Sequence, residues 1–133
     1  MSPPRVLLDA TAARAPMTGV GWSMVELVQA LVERDDGRRW VLAVTEPDLF
    51  PMVDDHPDWT VEVVKARGGG LLGRVLAGQI QVPRIAARQA VDVIHALTMP
   101  PPWYAPCPVV ATVHDIAYHH YPHTVPTLRR WWY

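Results

Sequence analysis

The sequence predicts an α/β protein built on an open, mostly parallel sheet with helices on its faces. Two observations predict it. Short apolar runs of strand length recur at 5–10, 40–44, 60–66, 91–97 and 108–115, and two longer stretches between them, 20–33 and 74–90, carry helical character. Their order is strand, helix, strand, strand, helix, strand, strand, which suits parallel neighbours joined by crossovers.

The first run, "RVLLDA" (5–10), ends in a carboxylate, Asp9. A buried parallel strand whose C-terminal end opens onto a site reads this way. A loop with Pro16 and Gly19 follows, and from Val20 the apolar period changes. Val20, Met24, Leu27, Val28, Leu31 and Val32 share one helical face, while Glu26, Gln29 and Glu33 fall elsewhere. Gly37, in "RDDGRR" (34–39), is the expected stop. "WVLAV" (40–44) and "TVEVVKA" (60–66) are the next strands. "GGGLLG" (68–73) lacks the Gly-Lys-Ser/Thr ending of a phosphate-binding P-loop and is expected to be a flexible loop. The second helix is expected to bend at, or begin near, Pro83. "VDVIHAL" (91–97) and "PVVATVHD" (108–115) supply the last strands.

Composition narrows the function. A chain of 133 residues is one domain by length, and half of it is apolar. Eleven arginines and Lys65 stand against 13 acids, for a net charge of −1, so no global field draws it to nucleic acid or anionic lipid. Cys107 is the single cysteine, which rules out an intramolecular disulfide and multi-cysteine zinc sites and makes the cytoplasm the expected setting. No run is long enough for a signal peptide or a membrane span. Prolines cluster at 100–108 and 122–126, where flanking apolar runs suggest stiff, ordered loops.

Ligands of open α/β sheets sit beyond the carboxyl ends of the strands. That rule gathers Asp9, the loop through Gly21, His95 and the His114–Asp115 pair from three strand ends. In "MTGVGW" (17–22), two glycines at a helix start let backbone N–H groups approach an anion. A nicotinamide fingerprint would set its glycines directly after the strand and add a third, where Met24 stands instead. "TVHDIAYHHYPH" (112–123) holds His114, Asp115, His119, His120 and His123. These could ligate a metal, move protons or line a cleft. Alternating strand side chains do not converge, so no metal is expected, and His119, His120 and His123 are read as wall or surface. His114, at a strand end, is placed to hydrogen-bond a hydroxyl or a departing oxygen.

Three stretches resemble one family. "LLDATAARAPMTGVGWSMVELVQAL" is similar to the first strand, glycine loop and first helix of family 4 glycosyltransferases. "QIQVPRIAARQAVDVIHAL" resembles their Leu-Pro helix and Ala-Asp-Val-hydrophobic-His strand. "PVVATVHDIAYHHYPHTVPTLRRWWY" resembles their Val-Thr-Ile-His-Asp strand end and basic, Tyr-rich helix start. The resemblance implies the N-terminal, acceptor-side Rossmann-like domain of a retaining GT-B enzyme, spanning 1–133. It implies sugar transfer from a nucleotide-sugar co-substrate to a sugar or lipid-linked acceptor, without cofactor or metal, in the cytoplasm or peripherally at the inner face of a membrane. By analogy Thr18, Gly19, Gly21 and His95 would bind substrate, and His114 and Asp115 would serve catalysis.

Trp22 and Ser23 depart from the Arg-Tyr common in that family. The donor-binding half, with its paired glutamates, is expected to be absent from this chain, a separate C-terminal half being the partner this implies, so that the chain alone is inactive. Two rival readings stay open. One is a non-catalytic α/β module docking through Trp131, Trp132 and Tyr133, because exposed aromatic ends mark interfaces. The other is a nicotinamide-dependent enzyme.

Overall fold

The computed structural model describes residues 2–34, 36–66, 70–121 and 123. Five strands, β1 (Val6–Asp9), β2 (Trp40–Val44), β3 (Trp59–Val63), β4 (Val93–Ala96) and β5 (Val109–Ala111), form one sheet in the order β3-β2-β1-β4-β5. Every pairing is parallel, with Leu8 set between Leu42 and His95. The expected Rossmann-like α/β class therefore stands, with a wholly parallel sheet among the described residues. Two long helices, α1 (Gly19–Arg34) and α2 (Leu71–Arg88), cover its two faces, and a single turn, α3 (Ala117–His120), follows β5.

Alternation along β1 divides the core. Val6 and Leu8 point to the α1 side and pack with Met24 and Val28, while Leu7 points to the α2 side and packs with Val82, Ile85 and Ala86. The apolar face read along 20–33 is the face α1 buries. Between β2 and β3 the chain crosses over without an α-helix. Two 3₁₀ turns, Pro47–Leu49 and Pro51–Val53, bracket Phe50, which is fully buried in the α1-side core.

Four expected boundaries change. The expected loop over 68–73 gives way at Leu71, where α2 begins; residues 68 and 69 lie outside the described residues. Helix α2 neither starts at Pro83 nor stops there. A proline costs an interior turn its N–H bond, about 3 kcal/mol, but Ala77, Val82, Ile85 and Ala86 seat both halves of α2 on the sheet. Strand β3 ends at Val63 rather than residue 66. Most consequential, the strand expected at 108–115 ends at Ala111. Its ladder closes with Thr112 N–H on Ala96 O (2.9 Å), where β4 itself ends. His114 and Asp115 thus lie on the connection after the strand.

At the opposite end of the sheet, Arg5 ties β1 to α2. Its guanidinium donates to Gln89 O and Gln89 Oε1, each at 2.8 Å, and Gln89 in turn donates to Glu62 on β3 (2.6 Å). This network ties the start of β1, the end of α2 and β3 together.

Candidate functional site

The strand order reverses direction of growth at β1, with β2 on one side and β4 on the other, and a crevice opens there beyond the carboxyl ends. A cavity of about 280 Å³ occupies it. Its walls are the loop after β1 (Thr11, Arg14, Thr18), the ends of β2 and β4 (Thr45, Thr98), and the first turns of α2 from Arg74 to Gln79.

The loop after β1 is held from below. Asp9 Oδ1 accepts from Thr11 N–H (3.1 Å) and Thr11 Oγ1–H (2.7 Å), an Asx turn that ends the strand. Thr45 Oγ1–H donates to Thr11 O and Ala13 O, and Ala15 N–H donates to Glu46. Burial pushes the Asp9 carboxyl above its ordinary 3.8, outweighing the Thr11 bonds that pull it down. The sign follows: a raised carboxylate pKa gives stability that is complete below the ordinary value and is lost as pH rises through the raised one. Asp9→Asn keeps the acceptor for Thr11 and removes that loss. It is expected to be more stable than the parent at pH 7, with the gap closing toward pH 3, as read from urea midpoints across that range.

Thr18 caps α1. Its Oγ1 accepts from Gly21 N–H (3.3 Å) and its carbonyl accepts from Trp22 N–H (2.9 Å). The Gly21 amide is therefore engaged within the helix start, and the approach expected from both glycines narrows to Gly19. A Cβ at Gly21 would meet Met17 Cε at 3.2 Å, so that glycine serves packing. A Cβ at Gly19 would meet nothing within 4 Å, so the protein's own packing does not require glycine there. The first turn of α1 holds no acid, leaving its positive dipole end uncompensated.

His95 sits one residue short of the end of β4, on the α1 side of the sheet beside Leu8 in register. Its Nε2 pairs with Thr112 Oγ1 at 2.8 Å, and burial holds the imidazole below its ordinary 6.5, favouring the neutral ring. It does not line the cavity. His114 Nε2 lies 2.8 Å from Leu97 O. A carbonyl only accepts, so Nε2 carries the proton, and a neutral His114 then presents Nδ1 as an acceptor rather than the donor expected from sequence. That bond fixes the ring against the backbone one residue before Thr98, a wall of the cavity, although neither His114 nor the exposed Asp115 lines the cavity itself.

The loop through Gly21, which holds Arg14, is legible in the sequence, whereas Thr45, Arg74, Gln79 and Thr98 have no motif to announce them. Gln79 accepts from Trp103 N–H (2.9 Å) and donates to Pro101 O (3.0 Å), clamping the proline-rich connection onto α2. Among the described residues no three His, Cys, Asp or Glu side chains converge as a metal site requires. His119 and His120 are exposed and stack edge to face. Cys107 packs beside the α2-side core, and burial pushes its thiol up, away from nucleophilic use.

Residues 17–133 match the sequence profile of Glycosyltransferase Family 4. The chain belongs to that family. The matched stretch takes in Thr18, Gly19, Gly21, His95, His114 and Asp115, and it begins after Asp9, Thr11 and Arg14. A search of curated proteins returns no match. As a family 4 chain it is a glycosyltransferase-like domain on a Rossmann-like sheet. No helix among the described residues is long and apolar enough to cross a membrane. The aromatic end proposed for docking, Trp131 to Tyr133, lies outside the described residues, as does Pro122 in the histidine-rich stretch.

Proposed function

We propose that this chain is the acceptor side of a nucleotide-sugar-dependent glycosyltransferase of the cytoplasm. The observation that carries the reading is the cavity at the strand-order switch in a family 4 chain. The acceptor lies against Thr18, Thr98 and the first turns of α2. Open space over Gly19 admits the donor's sugar and phosphates to the start of α1, where the helix dipole favours an anion. His114, held by Leu97 O, accepts a hydroxyl of the transferred sugar on Nδ1, and Asp115 shapes the same edge. His95 acts through Thr112, which begins the segment leading to His114.

The cavity is open on its solvent side. Transfer requires preorganised charge at the departing diphosphate, which a second wall supplies. No cofactor enters this reading.

Transfer of radiolabelled sugar from a panel of nucleotide sugars to a panel of acceptors tests it. The 133-residue chain alone is expected to bind acceptor without turnover, and to support turnover when a donor-binding half is supplied. Turnover by the chain alone would remove the proposed division of labour. Failure to bind any acceptor would remove the assignment.

A further inference from the structure

The polar groups of the cavity are an unbalanced set. Thr11 Oγ1–H is engaged with Asp9, and Thr45 Oγ1–H with two carbonyls. Both ends of the Gln79 amide hold the loop at Pro101 and Trp103. Thr18 Oγ1 accepts from Gly21 N–H, which leaves its O–H to donate. What remains for a ligand is the Thr18 and Thr98 hydroxyls and the guanidinium groups of Arg14 and Arg74.

No aspartate or glutamate lines the cavity. Of the acids near it, Asp9 is turned to Thr11 and Glu46 to Ala15 N–H. Among the described residues neither Arg14 nor Arg74 has a carboxylate partner or a hydrogen bond. Two cations from separate elements, the β1 loop and the first turn of α2, thus meet one cavity in a chain whose net charge is −1. Planar guanidinium groups favour oxyanions because paired N–H donors match paired oxygens.

We propose that this cavity binds the phosphate monoester of a sugar-sized acceptor, clamped between Arg14 and Arg74 with Thr18 and Thr98 donating to the remaining oxygens. The proposal rests on the acceptor-side reading and names its substrate class. The cavity, about 280 Å³ and open on its solvent side, has room for a phosphorylated monosaccharide. Arg14 precedes the stretch that matches the family, whereas Thr18, Arg74 and Thr98 lie within it.

The test is an NMR titration of the 133-residue chain with glucose 6-phosphate, glucose and UDP as probes. Glucose 6-phosphate is expected to shift the Thr18, Arg74 and Thr98 amides, more weakly as salt is added, while glucose leaves them unmoved. Arg14→Gln and Arg74→Gln, both at solvent-accessible positions, are each expected to weaken that binding about tenfold or more and to leave the spectrum otherwise folded. Equal binding of glucose and its phosphate overturns the proposal, as does undiminished binding by the two variants. Binding of UDP at the same amides without the sugar phosphate reassigns the cavity to the donor and also overturns it. Phosphate binding with no sugar transfer under any pairing would instead sink the transferase reading and leave the anion site standing.

Discussion

Replacing Phe50 with alanine is expected to cost about 3–5 kcal/mol of stability, a large share of the roughly 5–15 kcal/mol that holds a domain together. Phe50 is fully buried, between two 3₁₀ turns that replace a crossover helix. It fills the α1-side core with Leu42, Val44 and Val53, at the place where β2 turns back toward β3. Short turns bracketing the site cannot collapse into the cavity that truncation leaves, because Phe50 N–H already bonds Pro47 O (2.9 Å) and Val53 N–H bonds Phe50 O (3.2 Å). Phe50→Leu keeps most of the volume and is expected to cost less than about 1.5 kcal/mol. Urea unfolding followed by tryptophan fluorescence measures both. A loss below about 1 kcal/mol for the alanine variant would show that the segment repacks freely.

Phe50 also marks where the sequence stopped being legible. The strands were readable because parallel strands buried on both faces become unbroken apolar runs, and "WVLAV" coincides with β2. Helix α1 was readable because its apolar face repeats at helical spacing. The segment 45–58 has neither period: its order comes from prolines at turn starts and one anchored aromatic, which no local pattern reports. Pro83 is the opposite case: the helical stretch read over 74–90 carries through it because packing on the sheet outweighs a local breaker.

The site divides in the same way. Thr18, Gly19 and Gly21 were legible as a helix start, while His114 and Asp115 were read as a strand end that the structure stops short of, at Ala111. Arg74 and Thr98 were not legible, because they meet Arg14 only through the sheet order, which places the loop after β1, the end of β4 and the start of α2 around one cavity. The role of His114 was half legible. Sequence put it at a strand end, whereas β5 stops at Ala111, and the polarity of its ring depends on Leu97 O, a backbone atom 17 residues away.

That polarity is open to test by two variants that divide the imidazole. Glutamine can hold its amide N–H near the position of Nε2, keeping the bond to Leu97 O and deleting the Nδ1 acceptor. Asparagine can hold its carbonyl near Nδ1 and deletes the bond to Leu97. If Nδ1 receives a hydroxyl of the transferred sugar, His114→Gln leaves thermal stability near that of the parent and lowers kcat/KM about 100-fold, within the span of acid–base and hydrogen-bonding groups. His114→Asn should retain more activity than His114→Gln while losing stability by about 1 kcal/mol, the worth of one hydrogen bond. Transfer assayed with the donor half present, together with melting curves of both variants, separates the outcomes. The reverse order, with glutamine active and asparagine inactive, would mean that the tie to Leu97 is what function requires, and that His114 positions the segment after β5 without touching the sugar.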